Sequence, residues 1–136
     1  MSYGNDINLH DGTLVQITFE SLSTMTLRGH CYISVDKDDP RKLQWGAFSL
    51  KLFDVLYSEQ SMFRPWGDTH YINAFFFDQP DYLLCRLKTL NRVCEDSSFK
   101  EEFLPESPLI TAGIEFQSGD MLQVLCTAVE FSHEDI

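Results

Sequence analysis

The stretch LITAGIEFQSGDMLQVLCTAVEF, residues 109–131, decides the fold class, because it alternates on both sides of a turn signal at Gln117-Ser118-Gly119-Asp120. Every second side chain of a strand shares a face. Ile110, Ala112, Ile114 and Phe116 therefore form one set, and Leu122, Val124, Cys126 and Ala128 the other. A two-residue loop at Ser118-Gly119 sets Ile114 against Gln123 and buries neither face cleanly. A three-residue loop of Gln117-Ser118-Gly119 sets Ile114 against Leu122 and Ala112 against Val124, and places Gly119 where a bulged turn needs a left-handed residue. The odd loop is the predicted one, with Thr111, Glu115, Gln123 and Thr127 on a wetter face.

The segments before it repeat this period. Val15, Ile17 and Phe19 alternate with Leu14, Gln16 and Thr18, up to a turn at Ser21-Leu22-Ser23. The longest alternation follows, with Met25, Leu27, Gly29, Cys31, Ile33 and Val35 on one face. It is broken by the charged turn Asp36-Lys37-Asp38-Asp39-Pro40. A third strand region spans Gln44 to Tyr57, with a bulge or bend expected near Phe53 where Asp54 interrupts the phase. Ser58 to Thr69 reads as loop, and Tyr71 to Phe77 as a strand buried on both faces. Tyr82 to Leu90 fits a helix through Leu83, Leu84, Leu87 and Leu90, or a strand through Leu83, Cys85 and Leu87; its strand neighbours tip the reading to strand. Asn91 to Pro108 is a long irregular connection. These short alternating segments predict one domain over residues 1–136, all-β or mainly β: a single antiparallel sandwich or barrel of about seven strands, closing in a 109–131 hairpin, with at most one short helix at 82–90 or 97–103.

The chain has 136 residues and 18 aromatic side chains (Phe 11, Tyr 5, Trp 2), enough for a sizeable core. Its formal charge of −11 disfavours nucleic acid and anionic membranes and suits a basic protein partner. No apolar run approaches a membrane span and the first residues are polar, so a cytoplasmic protein is expected. Cys31, Cys85, Cys94 and Cys126 have no CxxC pairing and read as reduced and mostly buried. The four histidines join no metal-ligand spacing, and neither a nucleophile elbow nor a phosphate loop occurs; the reading is no metal, no cofactor and no enzyme.

Three strings stand out: Leu9-His10-Asp11-Gly12 before the first strand, Pro65-Trp66-Gly67-Asp68, and Glu115-Phe116-Gln117-Ser118-Gly119-Asp120 in the hairpin. Together they resemble small β-rich bacterial proteins that serve as immunity proteins beside polymorphic or contact-dependent toxins. The resemblance implies a non-enzymatic inhibitor that binds a cognate toxin, with no catalytic residues to carry over. The alternative is a small-ligand binder or enzyme using an aromatic-lined mouth of the sandwich.

An interface needs a field and an anchor. Glu95, Asp96, Glu101, Glu102 and Glu106 supply a field on the 91–108 loop, interleaved with Phe99 and Phe103 as anchors. Trp66 and Asp68 from the preceding loop, and Asp36, Asp38 and Asp39 from the β-turn, complete the predicted partner-binding set. Opposed pulls of exposed aromatics and single-sign charge predict a monomer or weak dimer.

Overall fold

Among the described residues eight strands and one helix follow one another as β1 (Thr13–Phe19), β2 (Met25–Ser34), β3 (Leu43–Phe53), β4 (Tyr57–Gln60), β5 (Ile72–Asp78), α1 (Asp81–Val93), β6 (Ile110–Phe116), β7 (Met121–Cys126) and β8 (Ala128–His133). The computed structural model describes residues 7–34, 36, 38, 39, 41–61, 71–93 and 105–133, with backbone alone at 91–93. Two four-stranded antiparallel sheets form, in the orders β1-β2-β3-β8 and β4-β7-β6-β5. They pack as an open sandwich, and the inward faces meet in one core built on Leu27, Leu50, Leu52, Ile72, Ile114, Phe116, Leu122 and Val124.

The β6–β7 hairpin has the odd register, with Ile114 opposite Leu122 and Ala112 opposite Val124. The Gly119 amide donates to the Phe116 carbonyl at 2.9 Å, and Gly119 takes φ +92°. The second arm is shorter than the sequence pattern suggests. It stops at Cys126, and after Thr127 the chain crosses to the first sheet, where β8 pairs with β3. The matching corner is Asp54, at φ 52°, which ends β3 and turns the chain toward β4. The two corners are tied: the Thr127 amide donates to the Phe53 carbonyl at 3.0 Å and its hydroxyl to Asp54 Oδ2 at 2.7 Å. The bend expected near Phe53 is therefore a crossing between sheets, and Tyr57–Gln60 beyond it is a strand rather than the start of a loop.

The 82–90 segment is a helix, against the strand reading. Its leucines recur at helical spacing, Asp81 sits in the first turn where a negative charge favours the helix dipole, and the Leu84 amide donates to the Pro80 carbonyl at 2.9 Å. Tertiary packing gives it a place. The helix lies on the outer face of β4 and β7, and both Leu83 and the outward-facing Leu125 are fully buried outside the main core. This cover also explains why Thr111, expected on a wet face, is buried, with its hydroxyl donating to the Gln79 carbonyl at 2.9 Å.

In β1 a bulge between Leu14 and Gln16 overturns the simple alternation: Leu14 is buried and Val15 is exposed. Gly29 makes the bulge feasible, since a Cβ there would lie 1.9 Å from the Thr13 carbonyl oxygen. Cys31 and Cys126 are buried free thiols, whereas Cys85 is exposed on α1. Burial pushes the Cys31 thiol up to about 11 and the Cys126 thiol to about 12, so both stay protonated at neutral pH.

Gly29→Ala is expected to cost on the order of 3 kcal/mol, because β1 must move away from a fixed backbone. Gly119→Ala, with open space around its Cβ, pays only for the left-handed φ, about 1 kcal/mol. Urea midpoints of the two variants check the order.

Candidate functional site

The outer faces of the two sheets differ. Helix α1 covers much of the second, while that of the first is open and carries large side chains from the β2–β3 hairpin. The register sets Tyr32 opposite Trp45, His30 opposite Ala47, and Arg28 opposite Ser49. Strand alternation then sends Arg28, His30, Tyr32, Trp45, Ala47 and Ser49 outward together. Trp45 is the hub: its ring meets Tyr32 edge-on at 5.0 Å and lies parallel to His30 at 5.9 Å. Tyr32, Trp45 and Leu43 are each 43–54% exposed, so this is an aromatic surface rather than core. Beside it the small side chains Ala47 and Ser49 leave a groove of about 500 Å³, rimmed by Val15, Gln16, Arg28, His30, Ser132 and His133.

Charge is distributed unevenly over the chain. Residues 13–53, which form β1 to β3, hold five of the ten bases against four of the 21 acids, so the remainder carries −12. On the open face Glu20 pairs with both Arg28, at 3.5 Å, and Lys51, at 3.1 Å. The open face is thus close to neutral in a strongly acidic protein.

Of the predicted partner-binding residues, Asp36, Asp38, Asp39 and Glu106 are described. Asp36, Asp38 and Asp39 lie at the tip of the β2–β3 hairpin, next to the aromatic surface in the chain. Two of the three carboxylates serve the turn itself: Asp36 accepts from the Asp38 amide at 2.9 Å and pairs with Lys42 at 3.5 Å, and Asp39 accepts from the Arg41 amide at 3.0 Å and from its Nε at 3.3 Å. Glu106 is exposed ahead of β6. Glu95, Asp96, Phe99, Glu101, Glu102, Phe103, Trp66 and Asp68 lie outside the described residues. Sequence reasoning did not single out Tyr32, Trp45 and Leu43, although their signal was present: three large apolar residues on the polar-facing phase of two strands.

Two polar clusters lie elsewhere. At one end of the sandwich the His10 ring is 2.7 Å from the Asn73 carbonyl, Gln117 donates to Asp11 at 2.7 Å, and Asn73 donates to Glu115 at 3.2 Å. Two of the distinctive sequence strings, 9–12 and 115–120, therefore meet. Against α1, Glu59 Oε1 accepts from Arg86 Nε at 2.7 Å and from the Tyr57 hydroxyl at 2.8 Å. Burial works to raise the Glu59 carboxyl, but hydrogen bonds from Arg86, Tyr57 and Tyr82 outweigh it and leave it below the usual carboxylate range. Both clusters are closed ion-pair and hydrogen-bond networks that join elements. Among the described residues no three His, Cys, Asp or Glu side chains group as a metal site, and no helix is long and apolar enough to cross a membrane. No family model, curated protein or solved structure matches the chain.

Because the folded carboxyl of Glu59 titrates below its unfolded value of about 4.3, its contribution is complete above that pH and is lost as pH falls through the lower folded value. Glu59→Gln should flatten the acid side of the stability profile below about pH 5, as thermal melts across pH would register. Trp45→Ala, at an exposed site, should cost about 1 kcal/mol or less in urea denaturation.

Proposed function

We propose that this chain is a non-enzymatic binding protein that acts in the cytoplasm as an immunity protein, docking on and blocking a basic protein toxin. The observation that carries the reading is the pairing of a neutral, exposed aromatic surface with an acidic remainder of the same chain. Long-range attraction to a basic partner raises the encounter rate, whereas Trp, Tyr and Arg side chains desolvated at the centre of an interface carry most of its energy. Tyr32, Trp45 and Arg28 are of these types, and the acids of the 91–108 segment, Glu95, Asp96, Glu101, Glu102 and Glu106, supply the field. The resemblance of the three strings to toxin-neutralising proteins points the same way.

The groove beside Trp45 favours a second reading, a small-ligand binder that uses Arg28, His30, Ser49 and Ser132 as polar contacts around an apolar floor.

The decisive experiment pairs this chain with the product of the reading frame beside its gene, measuring growth of cells that express that product with and without this chain. Protection is expected. Reversal of Glu101 and Glu102 to Lys should slow association about tenfold at low salt and weaken its salt dependence. Trp45→Ala should instead speed dissociation at least tenfold. Absence of both protection and binding would remove the toxin reading, and a melting temperature raised by a small metabolite in place of a protein would favour the groove.

A further inference from the structure

We propose that the free edge of β1 pairs with the same edge of a second copy, joining the first sheets of two molecules into one eight-stranded sheet across a two-fold axis at Thr18. Among the described residues β1 ends the sheet order, pairing with β2 on one side and meeting on the other a single bridge from Thr13 to Tyr71. The other three edge strands each carry a charge, Glu59 in β4, Asp78 in β5 and Glu130 in β8. The seven residues of β1 carry none. Charged side chains are the usual protection of an edge against pairing. Here the edge instead exposes Val15 at 67%, Ile17 at 37% and Phe19 at 57%.

Hydrogen-bond phase fixes which groups are free. The Glu20 amide donates to the Thr24 carbonyl at 2.9 Å, so Glu20 points its backbone toward β2, and Thr18, two residues earlier in the regular register, does the same. Ile17 and Phe19 therefore point their N–H and C=O groups away from β2. The bulge at Val15 limits regular pairing to the residues after it. An antiparallel pair centred on Thr18 uses that segment alone. Ile17 of each copy exchanges backbone hydrogen bonds with Phe19 of the other, about four bonds in all. Gln16 faces Glu20, so no like charges oppose. The alternative centre on Ile17 would set Phe19 against the bulged Val15.

The side chains agree with this register. Ile17 and Phe19 become cross-strand neighbours on the face that continues the core, each covering the other's exposed surface. Thr18 meets its symmetry mate as a non-hydrogen-bonded pair, the closest side-chain approach in an antiparallel ladder. The Thr18 hydroxyl is buried and without a hydrogen-bond partner among the described residues, and the pairing sets the hydroxyl of its mate beside it. A second copy is the occupant because the register is self-complementary, Ile17 against Phe19 and Thr18 against Thr18, and β1 brings no charged side chain of either copy into the pairing. The contact is small, which makes a concentration-dependent dimer.

Sedimentation equilibrium of the full chain from about 10 μM to about 1 mM, in salt near 0.15 M, should show the mass rising toward twice the monomer value. Hydrogen exchange over the same range should slow the Ile17 and Phe19 amides while leaving Val15 unchanged. Phe19→Pro removes an outward N–H that β2 does not use and should abolish association with circular dichroism unchanged. Ile17→Lys, which keeps the backbone intact, should raise the dissociation constant at least tenfold and serves if the proline variant fails to fold. Monomer mass throughout, or a dimer lost in Trp45→Ala but kept in Ile17→Lys, would overturn the proposal.

Discussion

The register of β7 against β6 is the constraint on which the remaining structure depends. A slip of one residue would turn Leu122 and Val124 away from the core and bring Gln123 and Met121 into it, because the side-chain period of a strand is two. The three-residue loop prevents that slip, and Gly119 lets it close at φ +92°. With the register set, Ala112, Ile114, Phe116, Leu122 and Val124 present one apolar face to Leu27, Leu50 and Leu52 of the other sheet. The tip is also held from the residue that follows β4: Asp120, itself buried, accepts hydrogen bonds from Ser118 at 2.8 Å and from Ser61 at 3.1 Å.

The sandwich also depends on two crossings placed side by side. Phe53 and Thr127 are where the chain changes sheets, and the bonds from Thr127 to Phe53 and Asp54 lock one crossing to the other. Antiparallel strands within a sheet need only tight turns, but a chain that switches sheets must satisfy its backbone groups at the corner. Asp54 manages this by accepting a left-handed conformation, which short polar residues tolerate better than branched ones.

The unequal treatment of the two outer faces organises the functional reading. One face is occupied by α1, pinned by Leu83 and by the Arg86–Glu59–Tyr57 cluster. The other displays an aromatic group around Trp45, and its charged residues Glu20, Arg28, Lys51 and Glu130, the last opposite Lys51, sum to zero. In the proposed immunity reading, the acidic remainder would attract the partner and the neutral aromatic surface would hold it. Local charge pairing matters at the hairpin tip too, where Asp36 and Asp39 spend their carboxylates on Lys42 and Arg41 and lose much of their outward field.

Much of this architecture is legible in the sequence by itself. Alternation and turn chemistry are local, so β2, β5, the odd hairpin loop and the β-rich class follow from residues within a few positions of one another. The Asp36–Pro40 break follows in the same way. The remaining features rest on contacts between residues distant in sequence. Periodicity left 82–90 balanced between helix and strand, and the outer face of β4 and β7, where Leu83 and Leu125 are buried, accommodates the helix. A bulge opposite Gly29 reversed the faces of Leu14 and Val15, since the close approach of β1 to β2 cannot be read from either strand alone. The site was the least legible part: whether Trp45 and Tyr32 lie in a core or on a surface is settled by which sheet face receives a covering element, and strand alternation is blind to that.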